Sequence, residues 1–172
     1  ISRLAPRPAT AELGPHTPSA LYNGMIAPLA RFSFRGVIWY QGESNRTQAW
    51  RYRELFPALI RDWRARFSNE DMPFYFVQIA PFAYSGDRGE TAELREAQRS
   101  ATEVPGTGMV VTTDVGDERD IHPRNKRDVG ARLARLALRR TYGRDVEDSG
   151  PTLRAVTSLA PDASGRGGLA LS

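Results

Sequence analysis

Residues 73–80, Pro-Phe-Tyr-Phe-Val-Gln-Ile-Ala, are apolar at nearly every position. A strand with one wet face alternates apolar and polar side chains, so an unbroken apolar run needs cover on both faces. Helices reach both faces of a sheet through crossover connections, and those connections make its strands parallel. Pro81 closes the run. Val37-Ile38-Trp39-Tyr40 and Met109 to Thr113 are shorter runs of the same character, each leading into polar residues.

Helical periodicities separate these runs. Thr17 is placed as an N-cap before Pro18, and Leu21, Met25 and Leu29 mark one face of a short helix ended by Pro28 or the residues after it. Tyr52, Leu55, Phe56, Leu59, Ile60, Trp63 and Phe67 recur at helical spacing, with Arg51, Arg53, Arg61, Asp62 and Arg64 filling the polar remainder. Pro57 is expected to kink or split that helix. A third helix is expected near residues 90–102, with Leu94, Ala97 and Ala101 inward. Asn125 is placed to cap a fourth, whose Val129, Leu133, Leu136 and Ala137 share a face. Its Arg132, Arg135 and Arg139 read as a solvated row.

The order is helix, strand, helix, strand, helix, strand, helix, which implies right-handed crossovers and a parallel α/β sheet with helices on both faces. Three interior strands fall short of the roughly five of a doubly wound sheet, so the sheet is expected to be incomplete at its N-terminal side. Residues 1–16, including His16, read as an extended lead-in and residues 17–144 as the α/β domain. Residues 145–172 hold two short strands, around Leu153–Thr157 and Leu169–Leu171, that could open a β module. The chain starts at Ile1 and is expected to derive from a longer protein.

Composition narrows the function classes. Without cysteine there are no disulfides or thiolate metal sites, and two histidines give zinc little to bind. The net charge of +4 comes from scattered arginines, not from the clustered basic face of a nucleic-acid binder. No apolar run approaches the roughly 18 residues of a membrane span.

The chemistry gathers in two places. Gln41-Gly42-Glu43-Ser44-Asn45 follows the first strand and crowds four hydrogen-bonding side chains around one glycine. The plainer alternative is a strand end whose Ser44 or Asn45 caps the next helix. The loop from Asp114 to Pro123 sets Asp114, Asp117, Glu118 and Asp120 around His122. Ligands bind such sheets at the carboxyl ends of the strands, so both stretches are expected on one edge. A histidine held by a carboxylate can serve as general base to a hydroxyl nucleophile. The alternative for His122 is a surface residue bonded to Asp120.

Three motifs recur here in a familiar order: Leu21-Tyr22-Asn23-Gly24-Met25-Ile26-Ala27-Pro28-Leu29, the run from Gly36 to Asn45, and Asp120-Ile121-His122-Pro123-Arg124-Asn125-Lys126. Together they resemble the sialate O-acetylesterase family of SGNH-type hydrolases, over roughly residues 17–142. The resemblance implies a flavodoxin-like sheet and serine-dependent removal of acetyl groups from sugar hydroxyls, with neither metal nor cofactor. It assigns the general base to His122 and its orienting carboxylate to Asp120. Many SGNH hydrolases place that Asp three residues before the His, where this chain has Arg119, so Asp117 and Asp114 stay open as partners. Gln41 and the Gly42 backbone match the oxyanion-binding block, with Glu43, Ser44 and Asn45 in support.

The family's nucleophile lies in a Gly-Gln-Ser-Asn motif that this chain lacks. Either the serine comes from an absent segment or a second chain, or Ser44 takes the role. A catalytically inactive sugar-binding or structural domain on the same scaffold is the competing reading. The expected partner is an acetylated carbohydrate, with no nucleic acid and no membrane, and the resemblance implies an extracellular or periplasmic setting.

Overall fold

The computed structural model describes Gly14 and residues 17–171, so His16 and the rest of the expected lead-in lie outside the described residues. Strands β1 (Val37–Trp39), β2 (Phe74–Val77) and β3 (Thr107–Val110) form a parallel sheet in the order β1-β2-β3. Trp39, Phe76 and Met109 are aligned across it, as are Ile38, Tyr75 and Gly108. Aligned residues share a face, and alternate residues along a strand face opposite ways.

That alternation sorts the helices. Helices α1 (Ala49–Arg66) and α2 (Glu90–Ser100) cover the Phe74 and Phe76 face, where Phe56, Ile60, Leu94 and Ala97 complete the main core. Helix α3 (Lys126–Arg140) covers the opposite face, with Leu136 packed beside Tyr75 and Val110. Every residue of β2 is buried, as its unbroken apolar run requires. On the α3 side, Ile38 in β1 stays 69% exposed. Among the described residues β1 pairs only with β2, so its other edge is open.

Several sequence expectations give way to packing. Pro57 does not divide α1, which runs unbroken through it. One ladder bond is lost there, but Phe56 and Ile60 on either side are anchored in the core, and Phe56 meets Phe76 edge-to-face at 5.0 Å. Leu55 is exposed instead of inward. Arg64, expected on the wet face, is buried; its Nε donates to the Met72 carbonyl at 3.0 Å and its Nη2 to Pro105 at 2.8 Å. A guanidinium is tolerated inside when such acceptors meet it. Strand β3 starts two residues before Met109, because pairing with Phe74 and Tyr75 recruits Thr107 and Gly108, residues that do not signal a strand by themselves.

The opening helix also differs. Thr17 to Ser19 form a turn, with Ser19 at φ 64° and the Thr17 hydroxyl accepting from Gly14 N–H at 3.1 Å. A π-helical turn (Tyr22–Ile26) and a 3₁₀ turn (Ala27–Leu29) follow. Leu21 and Met25 are 53% and 65% exposed, since nothing among the described residues meets that apolar face. The arginine row of α3 is not merely solvated: Arg132 pairs with Asp114, Arg135 donates to the Glu147 carbonyl, and Arg139 pairs with Asp145. Strands β4 (Val156–Leu159) and β5 (Gly168–Leu171) form a separate antiparallel hairpin, exposed throughout.

Candidate active site

Gly42 turns the chain out of β1. Its φ of +156° suits a residue without Cβ, and a Cβ there would lie 3.0 Å from Ile79 Cγ2 and 3.1 Å from Gln98 Nε2. A 3₁₀ helix (Glu43–Gln48) follows, closed by Asn45 N–H donating to the Gly42 carbonyl at 2.7 Å. The Gln41 side-chain amide donates to Asn45 Oδ1 at 2.7 Å, which fixes its orientation and leaves it a second N–H. The Gln41 carbonyl accepts from the Tyr52 hydroxyl and from Gln98 Nε2, each at 3.2 Å. Burial pushes the Tyr52 phenol up to about 12, so it stays a donor. Ser44 lies on the exposed side of the turn, and neither it nor Asn45 caps α1. Both lie inside the 3₁₀ helix, so the N-cap of α1 is Gln48, which makes no side-chain cap bond.

In the second stretch, the carboxylates are already engaged. Asp114 binds Arg132 through both oxygens, at 2.7 and 2.5 Å, and that guanidinium holds its carboxyl down at about 2. Asp117 accepts from Arg119 N–H at 2.8 Å. Asp120 accepts from the main-chain N–H of His122 at 2.8 Å, so it meets the histidine through the backbone and not at the ring. His122 is exposed, and among the described residues its ring donates no hydrogen bond to a carboxylate. Asn125 caps α3 as expected, its side chain accepting from Asp128 N–H at 3.2 Å.

The loops after the three strands meet at the carboxyl edge. Lys126 at the start of α3 lies with Nζ 5.2 Å from the centre of the Tyr40 ring at the end of β1, and also donates to the Pro123 carbonyl at 2.6 Å. Ala83 N–H donates to the Glu118 carbonyl at 3.0 Å. Gly116 is pressed against Pro81, where a Cβ would come within 2.2 Å of Cδ. Arg46 stacks 4.5 Å from the Tyr84 ring centre and reaches Glu90 at 3.3 Å and Asp87 at 3.5 Å.

Among the described residues the phenol oxygens of Tyr40 and Tyr84 are buried without a hydrogen-bond partner, and burial, then the Glu43 carboxylate, raises both above the usual tyrosine value. Neutral amides and phenols that bind growing negative charge without titrating suit an acyl-transfer site. Among the described residues, no three His, Asp or Glu side chains are grouped to hold a metal ion. Sequence reasoning missed Gln98, although one signal was present: it is a glutamine four residues after Leu94, on the inward stripe of α2.

Comparison with known proteins points the same way. The family model described as "Carbohydrate esterase, sialic acid-specific acetylesterase" matches residues 12–139. The sialate O-acetylesterases of Mus musculus and Homo sapiens are each 34% identical to the chain over 89% of its length. The crystal structure of a carbohydrate acetylesterase from Xanthomonas citri superposes with a TM-score of 0.79 at 44% identity, covering 88% of this chain. The chain spans about a third of each relative: 32% of the mouse protein, 33% of the human one and 35% of the Xanthomonas chain.

Proposed function

The chain belongs to the carbohydrate esterase family of sialic acid-specific acetylesterases, and from that premise we propose that it carries most of the catalytic site of a serine-dependent sugar O-acetylesterase. The observation that supports this reading is the contact of Lys126 with Tyr40, which joins the start of α3, four residues after His122, to the residue before Gln41. His122 is the general base, and Asp120 positions it through the backbone, its carboxylate accepting from the His122 main-chain N–H. Gln41 and the Gly42 N–H receive the oxyanion; Glu43 and Asn45 hold the turn.

The attacking serine comes from a segment outside these 172 residues. Ser44 is exposed, and the edge of β1 that is unpaired among the described residues offers a parallel strand a place beside the turn. In the assembled site the serine Oγ attacks the acetyl carbonyl and gives its proton to His122, which passes it to the departing sugar oxygen. His122 then takes a proton from water as its oxygen bonds to the acyl carbon, and returns that proton to the serine Oγ as the acyl–Oγ bond breaks and acetate leaves.

The test is acetate release from O-acetylated sugars by the longer protein this proposal requires. His122→Ala should lose about 10³-fold or more in kcat, and Gln41→Ala about 10²-fold. Wild-type rates in either variant would remove that residue from the mechanism.

A further inference from the structure

Gln98 is a buried amide with every polar atom engaged by backbone. It is 1% exposed, and its Oε1 accepts from Ile79 N–H at 2.9 Å. Its Nε2 donates to the Gln41 carbonyl at 3.2 Å and lies 3.4 Å from that of Val77. These bonds fall where the sheet stops. The pairing of β1 with β2 ends at Trp39 and Phe76, so the ladder does not tie the chain at Gln41 to the chain at Ile79. The side chain of Gln98 bridges that gap from the inward face of α2. Gly42 is fitted against the same amide, because a Cβ there would approach Nε2 to 3.1 Å.

We propose that Gln98 is a positioning residue, a side-chain bridge between the ends of β1 and β2 that sets where the Gln41 amide and Gly42 N–H point. This rests on the reading above that those two groups receive the oxyanion. An apolar stripe on α2 has no need of an amide here. Leucine or methionine would fill the space but leave Ile79 N–H unmet in the core, a loss that a purely packing role would not produce. Oxyanion donors act only when held to within a fraction of an ångström, so a loosened turn lowers kcat more than substrate affinity.

The experiment compares Gln98→Met with Leu94→Met, a volume-conserving change on the same stripe, in the longer protein. Gln98→Met should lower kcat about 10- to 100-fold with KM changed less than about threefold, while Leu94→Met keeps the wild-type kcat. Equal kcat in a folded Gln98→Met overturns the proposal. If Gln98→Met does not fold, Gln98→Glu takes its place. Its neutral carboxyl can donate to the Gln41 carbonyl and its ionised form has no donor, so its kcat relative to wild type should rise as pH falls, and a flat ratio overturns the proposal. Amide hydrogen exchange separates this from failure of the esterase reading. A wild-type protein without acetylesterase activity refutes that reading, whereas the bridge still requires faster exchange at Ile79 and across residues 41–45 in Gln98→Met than in Leu94→Met. Equal exchange in the two overturns it.

Discussion

The Lys126 ammonium sits 5.2 Å from the centre of the Tyr40 ring, joining the first residue of α3 to the end of β1 across the intervening strands. This contact spans the sheet from the Gln41 turn to the His122 loop. A cation over an aromatic face contributes about 0.5–1 kcal/mol at partly exposed sites. Lys126→Met should therefore cost about that much in urea unfolding, and a double-mutant cycle with Tyr40→Leu should recover most of it as coupling.

Arg64 ties the turn before β2 to the turn before β3 through the Met72 and Pro105 carbonyls. Arg64→Met keeps the aliphatic bulk and strands both acceptors. A loss of about 2–3 kcal/mol in unfolding free energy is expected, measured by chemical denaturation. Lysine, with its single nitrogen, should recover only part of it.

Stability should fall steeply in alkali. The Tyr52 phenol is raised to about 12 in the fold against an ordinary value near 10. The folded state thus holds a proton that the unfolded state releases first, so this contribution is complete below pH ~10 and is lost as pH climbs toward ~12. Two units correspond to roughly 3 kcal/mol. Denaturation curves between pH 9 and 12 should show the decline, and Tyr52→Phe should flatten it.

Asn125→Ala removes the acceptor for Asp128 N–H at the start of α3. About 1 kcal/mol of stability should go with it, read as a lower thermal midpoint. Because His122 lies just before this cap, acetylesterase kcat should fall further than stability alone predicts.

Ser44→Ala distinguishes the two sources of the nucleophile. With the serine supplied from outside these residues, the variant should keep kcat to within about threefold. Loss on the scale of a triad member, about 10³-fold or more, would make Ser44 the nucleophile after all.

Much of this architecture was legible because burial writes itself into side-chain type. The apolar run at β2 demanded two covered faces, and Leu94, Ala97, Val129 and Leu136 lie inward as their spacing indicated. The parallel α/β sheet is the fold shared with the Xanthomonas acetylesterase. What escaped notice was set by partners remote in sequence. Arg64 is inside because two carbonyls wait for it, and Thr107 and Gly108 are strand because Phe74 and Tyr75 are. Leu21 and Met25 show the converse, an amphipathic pattern whose covering surface is not among the described residues. Residue types alone singled out Gln41 and His122 as candidates. That the Asp120 carboxylate goes to a backbone N–H, and that Gln98 braces the turn, follow from three-dimensional placement that spacing does not encode.

The edge of β1, unpaired among the described residues and with Ile38 bare beside it, also bears on handling the protein. Exposed strand edges flanked by apolar side chains recruit other edges, those of identical copies above all. Prepared alone, these 172 residues should self-associate with rising concentration and precipitate on warming. A charged residue in place of Ile38 should keep them dispersed while leaving α1, α2 and their shared core intact.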